Sequence, residues 1–152
     1  MHISHLIVPS RVIANLHGTT AVEVLAEMAE LLARDLRHTS KQAMLDIFLE
    51  REGLGSTAIG QGIAIPHGRL AELSHPIAAL GRSSGGIAFQ SLDEKPVHLV
   101  IALLSPPGAN ELHLKALSAI SRLLRRESLR DRLCSLSEPE PLFHALMAEE
   151  DH

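Results

Sequence analysis

Residues 97–104 read Val97-His98-Leu99-Val100-Ile101-Ala102-Leu103-Leu104. Apart from His98 the run is entirely apolar, and it shows no alternation of polar with apolar positions. A strand with one wet face alternates, whereas one covered on both faces reads as a continuous apolar run. This stretch is therefore expected to be a central strand with other layers packed above and below it. It is far too short to cross a bilayer, which takes roughly 20 apolar residues.

Material for both covering layers flanks the run. Upstream, Thr20-Ala21-Val22-Glu23 is a capping box, in which hydroxyl and carboxylate satisfy unpaired backbone donors. Val22, Leu25, Ala26, Ala29, Leu32 and Leu36 follow at helical spacing, predicting an amphipathic helix over 20–37. Ser40 is placed to cap a second helix, with Met44, Ile47, Phe48 and Arg51 on one face and Gly53 as its stop. Residues 53–62 are glycine-rich and expected to be irregular, and the extended Ile63-Ala64-Ile65 leads into Pro66-His67-Gly68. Further strands are expected at 77–82 and 87–89. Downstream, Asn110 is expected to cap a third helix carrying Leu112, Ala116, Ala119, Ile120 and Leu123. A short fourth helix is expected over 127–134, and a fifth from a Ser137 cap, with Pro139 in its first turn, to about 148. Helices before and after central strands argue for a single α/β or α+β layered domain spanning residues 1–152.

Composition removes several classes of function. At 152 residues the chain suits one domain. Its formal charge is −4, and it holds three Phe but no Trp or Tyr, so it lacks both the basic surplus and the stacking platforms of a nucleic-acid binder. The lone Cys134 has no partner for an internal disulfide, which fits a reducing compartment. The start Met1-His2-Ile3-Ser4-His5 has no basic segment followed by an apolar stretch, so a cytoplasmic location is expected. Ten histidines raise the question of metal. There is no His-Glu-x-x-His and no Cys-x-x-Cys, and no metal is expected. A hydrolase is disfavoured by the absence of Gly-x-Ser-x-Gly.

The glycine-rich loop resembles two phosphate motifs and fits neither. Gly53-Leu54-Gly55-Ser56-Thr57-Ala58 follows a helix, whereas a dinucleotide fingerprint follows a strand. Gly55 and Gly60 have P-loop spacing, but Gln61 and Gly62 stand where lysine and Ser/Thr are needed. Exposed amides with Ser56 and Thr57 could still hold a single phosphate. His67 is the best-placed histidine: Pro66 keeps the approach extended and Gly68 allows a partner close access. His113 sits in the first turn of the third helix, where the positive helix end disfavours imidazolium and attracts anions. It reads either as a phosphate contact or as a surface or capping residue. Arg51 reads either as a fork for a phosphoryl group or as a cation at a helix C-terminus. The basic stretch Arg122, Arg125, Arg126, Arg130 and Arg132 reads as a solvated face or as a docking patch for an acidic partner.

The segment from Leu49 to Arg69, with Gly-Gln-Gly-Ile-Ala-Ile-Pro-His-Gly at residues 60–68, resembles the signature of type-2 enzyme IIA domains. These belong to the bacterial phosphoenolpyruvate-dependent phosphotransferase system, in its mannitol/fructose class. His113-Leu114-Lys115-Ala116-Leu117-Ser118 is similar to the family's second histidine motif, and Pro96-Val97 before the apolar strand also fits. The likeness runs from about residue 4 to 148 and is strongest to the stand-alone nitrogen-regulatory branch.

That resemblance implies a mixed β-sheet with helices on both faces. It implies that His67 is phosphorylated, that His113 contacts the phosphoryl group, and that Arg51, Ser56, Thr57 and Gly68 border the same site. The donor would be a small histidine-containing phosphocarrier protein. Sugar-specific members pass the group to an enzyme IIB. The nitrogen-regulatory branch controls other proteins, among them potassium-transport proteins and sensor kinases. The chemistry requires no cofactor, and a modest apolar patch around His67 is expected for docking.

Overall fold

The computed structural model describes residues 1–91 and 93–150. In chain order its elements are β1 (Val12–Ile13), α1 (Ala21–Ala33), α2 (Lys41–Gly53), β2 (Ala58–Gly60), β3 (Ile63–Ala64), β4 (His67–Arg69), β5 (Ile77–Ile87), β6 (Val97–Ser105), α3 (Asn110–Leu124), α4 (Glu127–Ser135) and α5 (Pro139–Glu150). The apolar run is the centre of the sheet, whose order is β1-β5-β6-β3-β2, with β4 also paired to β6. The sheet is mixed: β5 is antiparallel to β6, while β3 and β4 are parallel to it.

Side-chain alternation on β6 explains why both helical layers are needed. Leu99, Ile101 and Leu103 point into a cluster with Ala116 and Ile120 of α3, Leu129 and Leu133 of α4, and Leu142 and Leu146 of α5. Val100, Ala102 and Leu104 point the other way, into Val24, Leu25 and Met28 of α1 and Met44 and Phe48 of α2. Full burial of one such leucine or isoleucine is worth about 1.5–3 kcal/mol. A one-residue slip of β6 would exchange the two sets and mismatch both layers.

Local chemistry sets the element ends. The Thr20 hydroxyl accepts from the Glu23 N–H and the Glu23 carboxylate accepts from the Thr20 N–H, so the capping box is formed; such a cap is worth about 1 kcal/mol. The helix behind it stops at Ala33, not 37, because the Glu72 carboxylate draws the backbone N–H groups of Arg37 and His38 into the turn toward α2. Val22 is exposed, and Val24 and Met28 fill the buried face with Leu25 and Leu32. The expected strands at 77–82 and 87–89 join into one, β5. Arg82 pairs with Leu99 and Ile87 with Val97, and the surplus Ser83–Gly86 residues bulge out, held by a Ser83 hydroxyl that accepts from the Gly86 N–H. The loop expected to be irregular over 53–62 contains a hairpin, β2 to β3, turned through Gln61 (φ 58°) and Gly62 (φ 80°). Asn110 does not cap α3: Ala109 holds that position, and the Asn110 amide oxygen accepts from Arg69 instead. Ser137 lies ahead of α5, which begins at Pro139, and its carbonyl accepts from Asn15.

Part of the basic stretch is structural. Arg130 donates to the carbonyls of Leu124 and Arg125 at the end of α3, and Arg126 pairs with Glu149 at 3.0 Å. Arg122 and Arg125 remain exposed.

α2 packs directly on β4. Gly68 turns its α-carbon toward Ile47, and a Cβ built there would overlap Ile47 Cγ2. Gly68→Ala should therefore cost about 1–3 kcal/mol, measured by denaturant unfolding. Adding Ile47→Ala to it should recover part of that loss. An additive double variant would show that the clash is not the cause.

Candidate functional site

The site forms where β4 and β6 end and α3 begins. Strands β3 and β4 pair with β6 in one register, Ala64 with Val100 and His67 with Leu103, but Ile65 and Pro66 interrupt the ladder. Pro66 has no N–H to give, while its carbonyl accepts from Leu103 N–H. The Ile65 N–H donates sideways to Thr57. The Ile65 carbonyl is then free to take a side-chain donor, and it lies 2.8 Å from Nδ1 of His67.

A carbonyl oxygen only accepts, so Nδ1 of His67 carries the hydrogen and Nε2 holds the lone pair. Arg51, in the last turn of α2, donates from Nε to this Nε2 at 3.2 Å, and from Nη1 to the Gly55 carbonyl at 2.8 Å. His67 is half-buried. Burial holds its imidazole below the ordinary pKa; the Ile65 hydrogen bond pulls the other way, and the Arg51 charge adds to the lowering.

His113 faces His67 from the first turn of α3, with ring centroids 5.5 Å apart. It is not a surface residue: only 5% of it is exposed. Its Nδ1 shares a 2.6 Å hydrogen bond with the hydroxyl of Ser105, the fully buried last residue of β6. Its pKa falls to about 4, through burial first, then the Arg69 charge, then His67. Neutrality at His113 was expected from the helix end, but desolvation is the larger cause.

Ser56 and Thr57 shape the neighbouring loop. The buried Thr57 donates both its hydroxyl (2.6 Å) and its N–H (2.9 Å) to the Glu52 carboxylate. The half-buried Ser56 accepts from the Ala58 N–H. Neither hydroxyl bonds to His67. Gly68 lies on the opposite face of β4 from His67. Sequence reasoning missed Arg69, Ser105 and Glu52. Arg69 was findable, since a residue two places after His67 in extended chain shares its face. Leu54 is 82% exposed, and a depression of about 260 Å³ is lined by Ile47, Glu50, Arg51, Leu54, Gly68 and Arg69. Among the described residues no group of three or more His, Cys, Asp or Glu could hold a metal, and no helix is long and apolar enough to cross a membrane.

Residues 5–148 match the family described as phosphoenolpyruvate-dependent sugar phosphotransferase system, EIIA 2. The chain belongs to this EIIA type-2 family. It is 37% identical to a nitrogen regulatory protein of Pseudomonas aeruginosa, over 97% of this chain and 96% of that one. It is 39% identical to the fructose-specific EIIABC component of Bacillus subtilis over 94% of this chain, which spans only 22% of that longer protein. The solved structure of nitrogen regulatory protein IIA-Ntr from Neisseria meningitidis superposes with a TM-score of 0.87 at 31% identity, covering 95% of this chain and 98% of that one. The mixed sheet between two helical layers is thus the EIIA fold, and the chain is a phosphotransfer component.

The two lowered histidine pKa values fix a pH response of this EIIA domain. Unfolded histidine titrates near 6.5, whereas folded His113 stays neutral to about 4. The unfolded chain therefore binds more protons between those values, and stability is lost as pH falls through them, by at most about 1.4 kcal/mol per pH unit for one such group. Wild-type unfolding free energy should be level above pH ~6.5 and fall below it. In His113→Asn the decline from about 6.5 to 4.5, ahead of carboxylate protonation, should be shallower. Equal slopes would refute the assignment.

Proposed function

We propose that the chain acts in the cytoplasm as one EIIA unit that takes a phosphoryl group onto Nε2 of His67 from a histidine-containing phosphocarrier protein, and that its role is regulatory. The observation carrying this reading is the His67 ring itself, with Nδ1–H tied to the Ile65 carbonyl and Nε2 left as the bare nitrogen. The near-full-length match to nitrogen regulatory proteins supports the regulatory role.

The step balances simply. The Nε2 lone pair forms the new P–N bond as the donor's P–N bond breaks, and the bonding pair returns to the donor's ring. No proton need move during transfer, since Nδ1–H of His67 stays on the Ile65 carbonyl. A loose phosphoryl transition state asks mainly for alignment and for positive charge near its oxygens. Arg51 now donates to the lone pair that must attack, so an arriving donor displaces it. Its fork can then turn to the phosphoryl oxygens. Neutral His113, held by Ser105, offers a hydrogen bond without adding charge. Ser56, on the edge of loop 53–57, borders the anion, while Thr57 braces that loop through Glu52. The exposed Leu54, beside Arg51, suits a small, quickly released interface.

Incubation with phosphoenolpyruvate, enzyme I and the phosphocarrier should label wild-type protein and leave His67→Ala unlabelled, while His113→Ala takes up label more slowly. Equal labelling of His67→Ala would overturn the reading. A second role, in sugar uptake, draws on the likeness to the fructose-specific protein. Transfer of the label to a fructose-specific enzyme IIB would support that role over the regulatory one.

A further inference from the structure

Arg69 has no part in the transfer step described above, yet its side chain spans two halves of the site. From β4 it reaches the start of α3, donating from Nη2 to the Asn110 side-chain oxygen at 3.0 Å and from Nη1 to the Ala109 carbonyl at 3.4 Å. Ala109 is the N-cap residue of α3, and its carbonyl also accepts the first helical hydrogen bond, from the N–H of His113. The guanidinium therefore grips the turn from which His113 projects. The helix has no side-chain cap of its own. Asn110, a residue suited to capping, has given its oxygen to Arg69 instead. Loop 106–109 otherwise enters α3 with one weak turn bond, Ala109 N–H to the Pro106 carbonyl at 3.3 Å.

We propose that Arg69 is a positioning residue for phosphoryl transfer: by clamping the first turn of α3 to β4, it fixes where the His113 ring sits beside His67. This rests on the phosphocarrier reading above. His67 and Arg69 lie on the same strand two residues apart, so the clamp references His113 to the strand that carries the nucleophile. Ser105 pins the same ring from β6, and β4 pairs with β6 there, Arg69 with Ser105. One continuous piece of sheet thus holds His113 in two ways: Ser105 bonds the ring, and Arg69 bonds the turn that carries it. The groups facing the two rings are Arg69, Ser105 and, on the His67 side, Arg51 and Glu52. Glu111, the acidic residue in the first turn of α3, is engaged by Lys115 at 3.1 Å.

The test is a double-mutant cycle of Arg69→Gln and Asn110→Ala, read in phosphoryl transfer and in the NMR titration of the His113 ring in unphosphorylated protein. Each single variant should lower the transfer rate at saturating donor, Arg69→Gln by roughly tenfold, with the donor's KM unchanged. The double variant should be no slower than Arg69→Gln, because both changes cut one clamp. His113 should titrate at higher pH in Arg69→Gln than in wild type, a change that general loss of stability does not produce. Wild-type transfer in Arg69→Gln, additive losses in the double variant, or an unmoved His113 titration would each overturn the proposal. Wild-type protein that takes no label would instead overturn the phosphocarrier reading; the clamp is then decided by nuclear Overhauser contacts between the His67 and His113 rings, which should weaken in both Arg69→Gln and Asn110→Ala, and unchanged contacts would overturn it.

Discussion

One hydrogen bond organises the site: Nδ1–H of His67 to the carbonyl of Ile65, 2.8 Å away. It exists because the ladder between β3, β4 and β6 lapses at two residues while keeping its register on either side. Pro66 cannot donate, and the Ile65 N–H is drawn to Thr57. The freed carbonyl takes the nearest donor, the imidazole two residues on. A half-buried ring held this way has no choice of tautomer, and its lone pair points toward Arg51. The cost of an unpaired backbone carbonyl is thereby turned into the orientation of a ring lone pair.

The rest of the fold supplies the scaffold for that bond. Strand β6, covered on both faces, is rigid enough to hold β4 on one side and Ser105 at its end. Two helix termini are then brought to the same place from opposite layers. The C-terminal turn of α2 contributes Arg51, and the N-terminal turn of α3 contributes His113. Because Gly68 lets α2 lie almost on the strand, a helix from one layer and a histidine from the other can meet at one imidazole.

Much of this was legible in the sequence, for reasons that can be named. The unbroken apolar run specified a doubly covered strand, and Thr20 with Glu23 specified a helix start through local chemistry alone. His67, His113 and Arg51 stood out because proline, glycine or a helix end sat beside each of them. Their convergence was carried by the resemblance, since nothing local brings residues 51, 67 and 113 together. The failures have a common cause in non-local contacts. Asn110 has a capping side chain, but Arg69 competes for it from 41 residues away. The first helix has periodicity to Leu36, but Glu72 pulls its last turn open. Thr57 differs, since the contact is local: Glu52, five residues back, occupies both its donors.

The most direct measurement is long-range proton–nitrogen correlation NMR on the imidazole of His67, before and after phosphorylation. In the free protein, the account predicts a hydrogen on Nδ1 and none on Nε2; in the phosphorylated protein, phosphorus–nitrogen coupling should appear at Nε2. A free-state hydrogen on Nε2, or phosphorus bonded to Nδ1, would contradict it.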